Sequence, residues 1–390
     1  MKVNKFIKNY WFTIEPYVYI GITEEKVLLF NTLDKEYIES DQKEVLELLQ
    51  KNLRKENLGV CLLSSEDLKN ECLNTFILEL RNKYMGDIID TSLSNRKPIQ
   101  IYPYFNLLGV EKYDIYYRHN FYIDRSFLNY LSEIHLFIDE FTNIKRLTSI
   151  LQSLPDTFSY KITGDLRIIN YNNYFLSFCS SLHSSKTIQC YYKDFVVYPI
   201  NENDFFSYEI IVDFPLEENF LKKSIQLKYA KKYSVGFIFH VKSLEDCIQC
   251  ERIVEVYQID NYILKPIYNK TNIDFLKENI FLSKQDILST DMSIKEIFAN
   301  QIINTYDFGK IKIKSNGDVY ANLNHDKLGN IYENSINELI KKEIFEGKSW
   351  LRIRNQPPCS NCVFQWLCPS PSDLEIAIGY PNLCEFNNEI

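Results

Sequence analysis

The residues best suited to chemistry lie near the C-terminus. Cys359-Ser-Asn-Cys362-Val-Phe-Gln-Trp-Leu-Cys368 is followed by Cys384, so four of the ten cysteines occupy residues 359–384 with the spacing C-x2-C-x5-C-x15-C. A C-x2-C pair lets two thiolates reach one metal without straining the backbone. A third thiol five residues on, with a fourth returning from a loop, completes a four-sulfur set. Pro357-Pro358 and Pro369-Ser-Pro371 hold the stretch in loops. Four separate buried thiols or two disulfides are the competing readings, and the tight spacing favours a metal. Zinc and an iron–sulfur cluster both accept four thiolates, and spacing alone does not choose between them.

This stretch resembles the C-terminal half of a SPASM domain, the auxiliary-cluster domain of radical-SAM enzymes that modify peptides. The family pattern is a Cys, then G-x4-C, a gap, C-x2-C-x5-C-x3-C, and a last Cys after another gap. The resemblance implies that Cys359, Cys362, Cys368 and Cys384 are the ligands of one auxiliary [4Fe–4S] cluster. For the family's other auxiliary cluster, the hairpin Ile311-Lys-Ile-Lys-Ser-Asn-Gly317-Asp-Val-Tyr-Ala-Asn322 carries the glycine, but Asn322 stands at the ligand position. Ser372 stands where C-x3-C needs a cysteine, and the window Gln301 to Asp307 holds none. Leu328 to Leu339 fits the family's connecting strand and helix. One complete ligand set is kept and the other is lost as a set. His325, three residues after Asn322, is a candidate replacement ligand.

The elements that must position these residues follow from the rest of the chain. At 390 residues, two or three domains are expected. Lys and Arg total 44 against 52 Asp and Glu, giving net charge −8 and a pI near 5.4. That argues against a nucleic-acid or anionic-membrane partner, since both need a basic face. The charged start, Met1-Lys-Val-Asn-Lys-Phe-Ile-Lys8, has no apolar signal core, and no run of 18 apolar residues occurs. With six further scattered cysteines, the expectation is the reducing cytoplasm. The 28 tyrosines and 26 phenylalanines read mainly as base-composition bias.

Alternation predicts strands at 17–22, 26–31 and 36–39, and Asp41-Gln-Lys-Glu44 opens a helix with Val45, Leu46, Leu48, Leu49 and Leu53 on one side. A short apolar segment, 58–63, precedes a second helix whose expected apolar face is Leu68, Cys72, Leu73, Phe76, Ile77 and Leu80. Residues 1–95 therefore resemble the winged-helix α+β element with which peptide maturases grip a leader peptide along a sheet edge. An ordinary small α+β cap is the alternative.

From residue 98 strands alternate with helices. Strands are expected at 98–102, 134–138, 160–163, 187–191, 208–213, 235–239 and 262–266, with helices at 143–154, 172–182, 217–230, 244–258 and 273–279. Such repetition implies an α/β region with a parallel sheet, either a barrel or a doubly wound sheet. The resemblance implies a partial (β/α)6 radical-SAM-like barrel over 96–290, with the SPASM-like domain over 291–390.

A radical-SAM enzyme carries C-x3-C-x2-C just after its first barrel strand, to hold the cluster that cleaves S-adenosylmethionine. Here Tyr102 to Tyr113 follows that strand, and no cysteine occurs between Cys72 and Cys179. Cys247-Ile-Gln-Cys250 lies within a helical stretch without a third partner and reads as core thiols. The Gly-Gly-Glu-Pro-like turn that holds the cofactor's amino group would be Thr163-Gly164-Asp165-Leu166, with one glycine remaining. S-adenosylmethionine is not expected to bind. The five histidines (His119, His135, His183, His240, His325) fall in no ligand or triad spacing, and no phosphate loop or paired-carboxylate motif stands out.

The whole chain therefore resembles the pseudo-radical-SAM proteins with a SPASM-like tail that accompany Gly-Gly-leader ribosomal peptide maturation systems of the Bacteroidales type. Trp366-Leu-Cys368-Pro-Ser-Pro-Ser372 is especially similar to that group. The resemblance implies a non-catalytic accessory protein with one [4Fe–4S] cluster, whose partners are a precursor peptide leader and a catalytic radical-SAM maturase. Two alternatives are an electron-transfer partner that feeds a maturase's clusters and an unrelated barrel enzyme with a structural zinc tail.

Overall fold

The structure of the protein, a computed structural model, describes residues 8–93, 96–98, 126–198, 206–231 and 234–385. The expected strand at 98–102 and the segment after it lie outside the described residues.

The N-terminal region holds β1 (Asn9–Ile14), β2 (Val18–Ile22), β3 (Val27–Asn31), β4 (Tyr37–Ser40), β5 (Val60–Ser64) and β6 (Gly86–Asp90). They form two small antiparallel sheets, β5-β1-β6 and β2-β3-β4. The helices Lys43–Asn52 and Glu71–Asn82 follow the expected apolar patterns, with Leu73, Phe76, Ile77 and Leu80 buried. Two expectations are corrected. Cys72 is exposed rather than on the apolar face. The first helix begins after Gln42 without a side-chain cap, so the Asp41–Glu44 box does not form.

All of β3 is buried because both faces of its sheet are covered. Val27 and Leu29 face the two helices. Leu28 and Phe30 face Ile287, Ile297, Val363, Phe364 and Leu367, which belong to the C-terminal third of the chain. The N-terminal meander is thus the floor on which the cysteine-bearing loop rests.

The large sheet contains β7 (Glu133–Ile138), β8 (Ser159–Gly164), β9 (Lys186–Tyr191), β10 (Ser207–Asp213), β11 (Val235–Val241) and β12 (Tyr262–Pro266). These six are parallel neighbours in chain order. Beyond β7 come β13 (Lys310–Ile313), parallel to it, and the antiparallel β14 (Asp318–Tyr320) and β15 (Gly329–Asn330). The connecting helices pack on one face, where Ile134, Leu136, Ile162, Ile188, Ile210 and Phe237 meet Leu147, Phe178, Leu221 and Ile253. Sequential order with helices on a single face is barrel-type winding rather than the two-sided winding of a doubly wound sheet.

The opposite face is polar. His135 Nε2 lies 2.8 Å from Thr163 Oγ1, Thr163 donates to Gln189 Oε1 (3.2 Å), and Gln189 donates to Glu209 Oε2 (2.9 Å), which also pairs with Lys161 at 2.5 Å. Burial, then Lys161, Lys312 and Lys265, push the His135 pKa down to about 3. Lys265 sits on β12, five strands from His135, and a flat sheet would separate them by roughly 24 Å. The sheet is therefore strongly curled, while its edges β12 and β15 remain unpaired with each other among the described residues. No helix among the described residues is long and apolar enough to cross a membrane.

Candidate metal centre

Short-range turns gather the first three cysteines. Cys359 opens a 3-10 turn over Cys359–Asn361, Cys362 N–H donates to Cys359 C=O (3.1 Å), and Cys368 N–H donates to Phe364 C=O (3.1 Å). Between them, Val363, Phe364 and Leu367 are buried against Tyr19, Leu28 and Phe30. Tyr19 Oη donates to Val363 C=O at 3.1 Å. Gly21 permits this approach, since a Cβ there would lie 1.9 Å from the Val363 oxygen. Buried Asn300 ties off the far end by donating to the carbonyls of Trp366 (3.3 Å) and Cys368 (3.2 Å).

Cys384 comes from a different direction. Leu282 N–H donates to Leu383 C=O (2.9 Å), and Glu385 N–H donates to Leu282 C=O (3.2 Å), which fixes Cys384 beside Leu282. Cys359, Cys362, Cys368 and Cys384 then line one small cavity with Leu282, Arg354, Gln365, Asn382 and Leu383. Cys359 and Cys384 are buried, Cys362 and Cys368 are half-buried, and none of the four is in a disulfide. Burial pushes the Cys368 thiol up; Arg354 opposes that shift and the other three cysteines add to it.

Arg354 and Asn382 were not singled out by spacing. Arg354 Nη1 stands 4.0 Å from Cys359 Sγ, and its other nitrogens bind Glu375 Oε1 (2.7 Å) and the Pro369 carbonyl (2.5 Å). Asn382 Nδ2 stands 3.6 Å from the same sulfur, while its Oδ1 accepts from Cys384 N–H at 3.0 Å. Four thiols beside a guanidinium and an amide donor fit a thiolate-held metal group, because such donors offset the negative charge of the sulfurs. The sulfurs line a cavity wall. Among the described residues, no group of three or more His, Cys, Asp or Glu is already arranged to hold a metal ion.

The positions at which the family pattern has its other ligand set also meet in space. Asn322 is fully buried and donates to Asp307 Oδ2 (2.8 Å) and Asp373 Oδ1 (2.6 Å). Arg352 lies 4.0 Å from Asp307. Ser372 caps the short helix Asp373–Ile378 in a capping box with Glu375. Glu375 is also the partner of Arg354, so this one helix joins the polar network to the thiol cavity.

The remaining candidates lie elsewhere. His325 bonds Ser349 Oγ at 2.8 Å and does not line the thiol cavity. His240 pairs with Asp213 and His183 with Asp156, while His119 is outside the described residues. Cys250 is fully buried on the helix Leu244–Tyr257, packed in the large core. At the end of β8, Asp165 caps the next helix by accepting from Arg167 N–H (2.9 Å) and is further held by the Arg167 guanidinium.

No protein-family model matches the chain, and no curated protein matches it. Among solved structures, the chain is similar to SuiB of Streptococcus suis, crystallised bound to S-adenosylmethionine. The identity is 14%, covering 97% of this chain and 100% of that one, with a TM-score of 0.44. The protein is a mixed α/β chain built on a large, mostly parallel sheet.

Proposed function

We propose that this protein is a catalytically inactive, radical-SAM-like accessory factor of ribosomal peptide maturation. It carries one [4Fe–4S] cluster on Cys359, Cys362, Cys368 and Cys384, and binds a precursor peptide leader, a catalytic radical-SAM maturase, or both. The observation that carries this reading is the contrast between two ligand sets. Four cysteines line one cavity, whereas Asn322, Asp307 and Asp373 fill the other ligand region with a closed polar network. The absence of any cysteine between Cys72 and Cys179 supports the lack of S-adenosylmethionine chemistry. A cluster held by all four thiols would supply a fixed charge and one-electron redox capacity. The chain's own residues would screen it: Arg354 and Asn382 at Cys359, Leu282 and Leu383 against solvent. Four thiolates can also hold one zinc, and the metal and sulfide content of the protein separates the two.

The N-terminal region supports leader binding. β4 pairs with no further strand among the described residues, although Lys83 donates to its Tyr37 carbonyl (2.6 Å), and a groove of about 290 Å³ runs between it and the helix Glu71–Asn82, with Ile38, Val45 and Phe76 at its apolar part and Glu39, Glu71 and Glu79 around them. An extended leader can add there as a strand, with its apolar side chains in the groove, at a micromolar affinity of about −8 kcal/mol. Incubating the anaerobically reconstituted, dithionite-reduced protein with S-adenosylmethionine tests the catalytic half of the proposal. No 5′-deoxyadenosine is expected, and its release would overturn the reading.

A further inference from the structure

A second exposed edge carries an independent inference. Among the described residues, β12 ends the large sheet and pairs with β11 alone. Three consecutive apolar residues on it are open to solvent: Tyr262 is 42%, Ile263 62% and Leu264 38% exposed. Phe237 N–H donates to Asn261 C=O and Ile267 N–H donates to Val241 C=O. In a parallel ladder these two bonds put the backbone groups of the odd-numbered residues toward β11. The N–H and C=O of Tyr262 and Leu264 therefore point outward, with no partner among the described residues. A long, apolar, unpaired edge is a template for another strand.

We propose that this edge pairs with β12 of a second copy of the chain, antiparallel about a two-fold axis through Ile263. In that register Tyr262 faces Leu264 of the second copy and each pair exchanges two backbone bonds, so four bonds form. Ile263 meets its own equivalent as a non-hydrogen-bonded pair, with Cα atoms about 4.5 Å apart. Each Lys265 comes opposite Asn261 of the second copy, next to Asp260, whose side chain is 80% exposed and pairs with Lys228 of its own chain at 2.5 Å. No like charges stand directly opposite in this register. Pro266 has no N–H to extend the pairing, and the large sheet's other edge among the described residues, β15, is only two residues long, so the large sheet itself offers no template for head-to-tail growth.

Sedimentation of the full-length protein under anaerobic conditions tests this. A monomer–dimer equilibrium is expected, with Ile263→Lys weakening association at least tenfold and leaving the circular dichroism spectrum unchanged. Ile263→Cys should give an intermolecular disulfide on mild oxidation that the wild-type chain does not give, since about 4.5 Å suits that bond. A protein that stays monomeric up to 100-fold above a micromolar concentration, a dimer indifferent to Ile263→Lys, or capture of an extended peptide on β12 by a monomeric chain would each overturn the proposal.

Discussion

At the scale of single residues, the thiol cavity depends on neighbours that the cysteine spacing does not reveal. The spacing was legible because C-x2-C and C-x5-C are local constraints that the intervening turns obey. Arg354, Asn382 and Leu282 were not, because only the folded chain brings them beside Cys359 and Cys384. Three outcomes follow. Cys362→Ala should lose the bound metal and destabilise the tail, because metal binding and folding are coupled in such sites; metal content and thermal unfolding of the purified variant check this. Arg354→Met leaves Glu375 buried without its partner, and breaking such a pair costs about 3–5 kcal/mol, measurable by denaturant unfolding. The third concerns Asp307, whose pKa is raised first by burial. Its folded value lies above its unfolded one, so the ionised form opposes folding at neutral pH. That cost is relieved as pH falls through the folded value. Asp307→Asn should therefore gain stability relative to wild type at neutral pH, and the difference should close in acid; denaturant midpoints across a pH series report it.

At the scale of elements, strongly periodic segments were legible and short or composite ones were not. All six expected strands that fall in the described part of the large sheet are present, and Ile273–Asn279 forms as expected. The expected helix at 172–182 forms as Asn173–Ser181, and a short helix that was not expected, Leu166–Tyr171, precedes it; each is capped by an Asp or Asn. The helices Ile294–Ile302 and Asp373–Ile378 are too short for a clear apolar stripe. Their signal is the S-x-x-E box, Ser293 with Glu296 and Ser372 with Glu375. Strand β6 is half-exposed and polar, so alternation does not mark it. The docking of β2–β4 on the cysteine loop is the element-level contact with the clearest test. Gly21→Ala drives a methyl into the Val363 carbonyl and should cost about 1–3 kcal/mol and loosen the cysteine loop. Faster loss of metal to a chelator, alongside a lower unfolding midpoint, is the expected readout.

At the scale of the whole molecule, no local pattern could show that β13 inserts beside β7, about 175 residues earlier in the chain, or that the N-terminal meander underlies the C-terminal cysteines. Long-range pairing of this kind follows from which apolar faces need covering, and the continuous run Val27–Phe30 is its one visible trace. These contacts tie the candidate leader groove and the thiol cavity to opposite faces of one small sheet. If the groove holds a leader, peptide should protect the exposed Cys72 from alkylation while Cys250 stays inert with or without it; mass spectrometry of the labelled protein separates the two. The central claim, one retained cluster in a chain without S-adenosylmethionine chemistry, is tested most directly by iron, zinc and acid-labile sulfide per chain after anaerobic purification. The account predicts about four irons and four sulfides, all lost in Cys362→Ala. About one zinc without sulfide, or about eight irons, would contradict it.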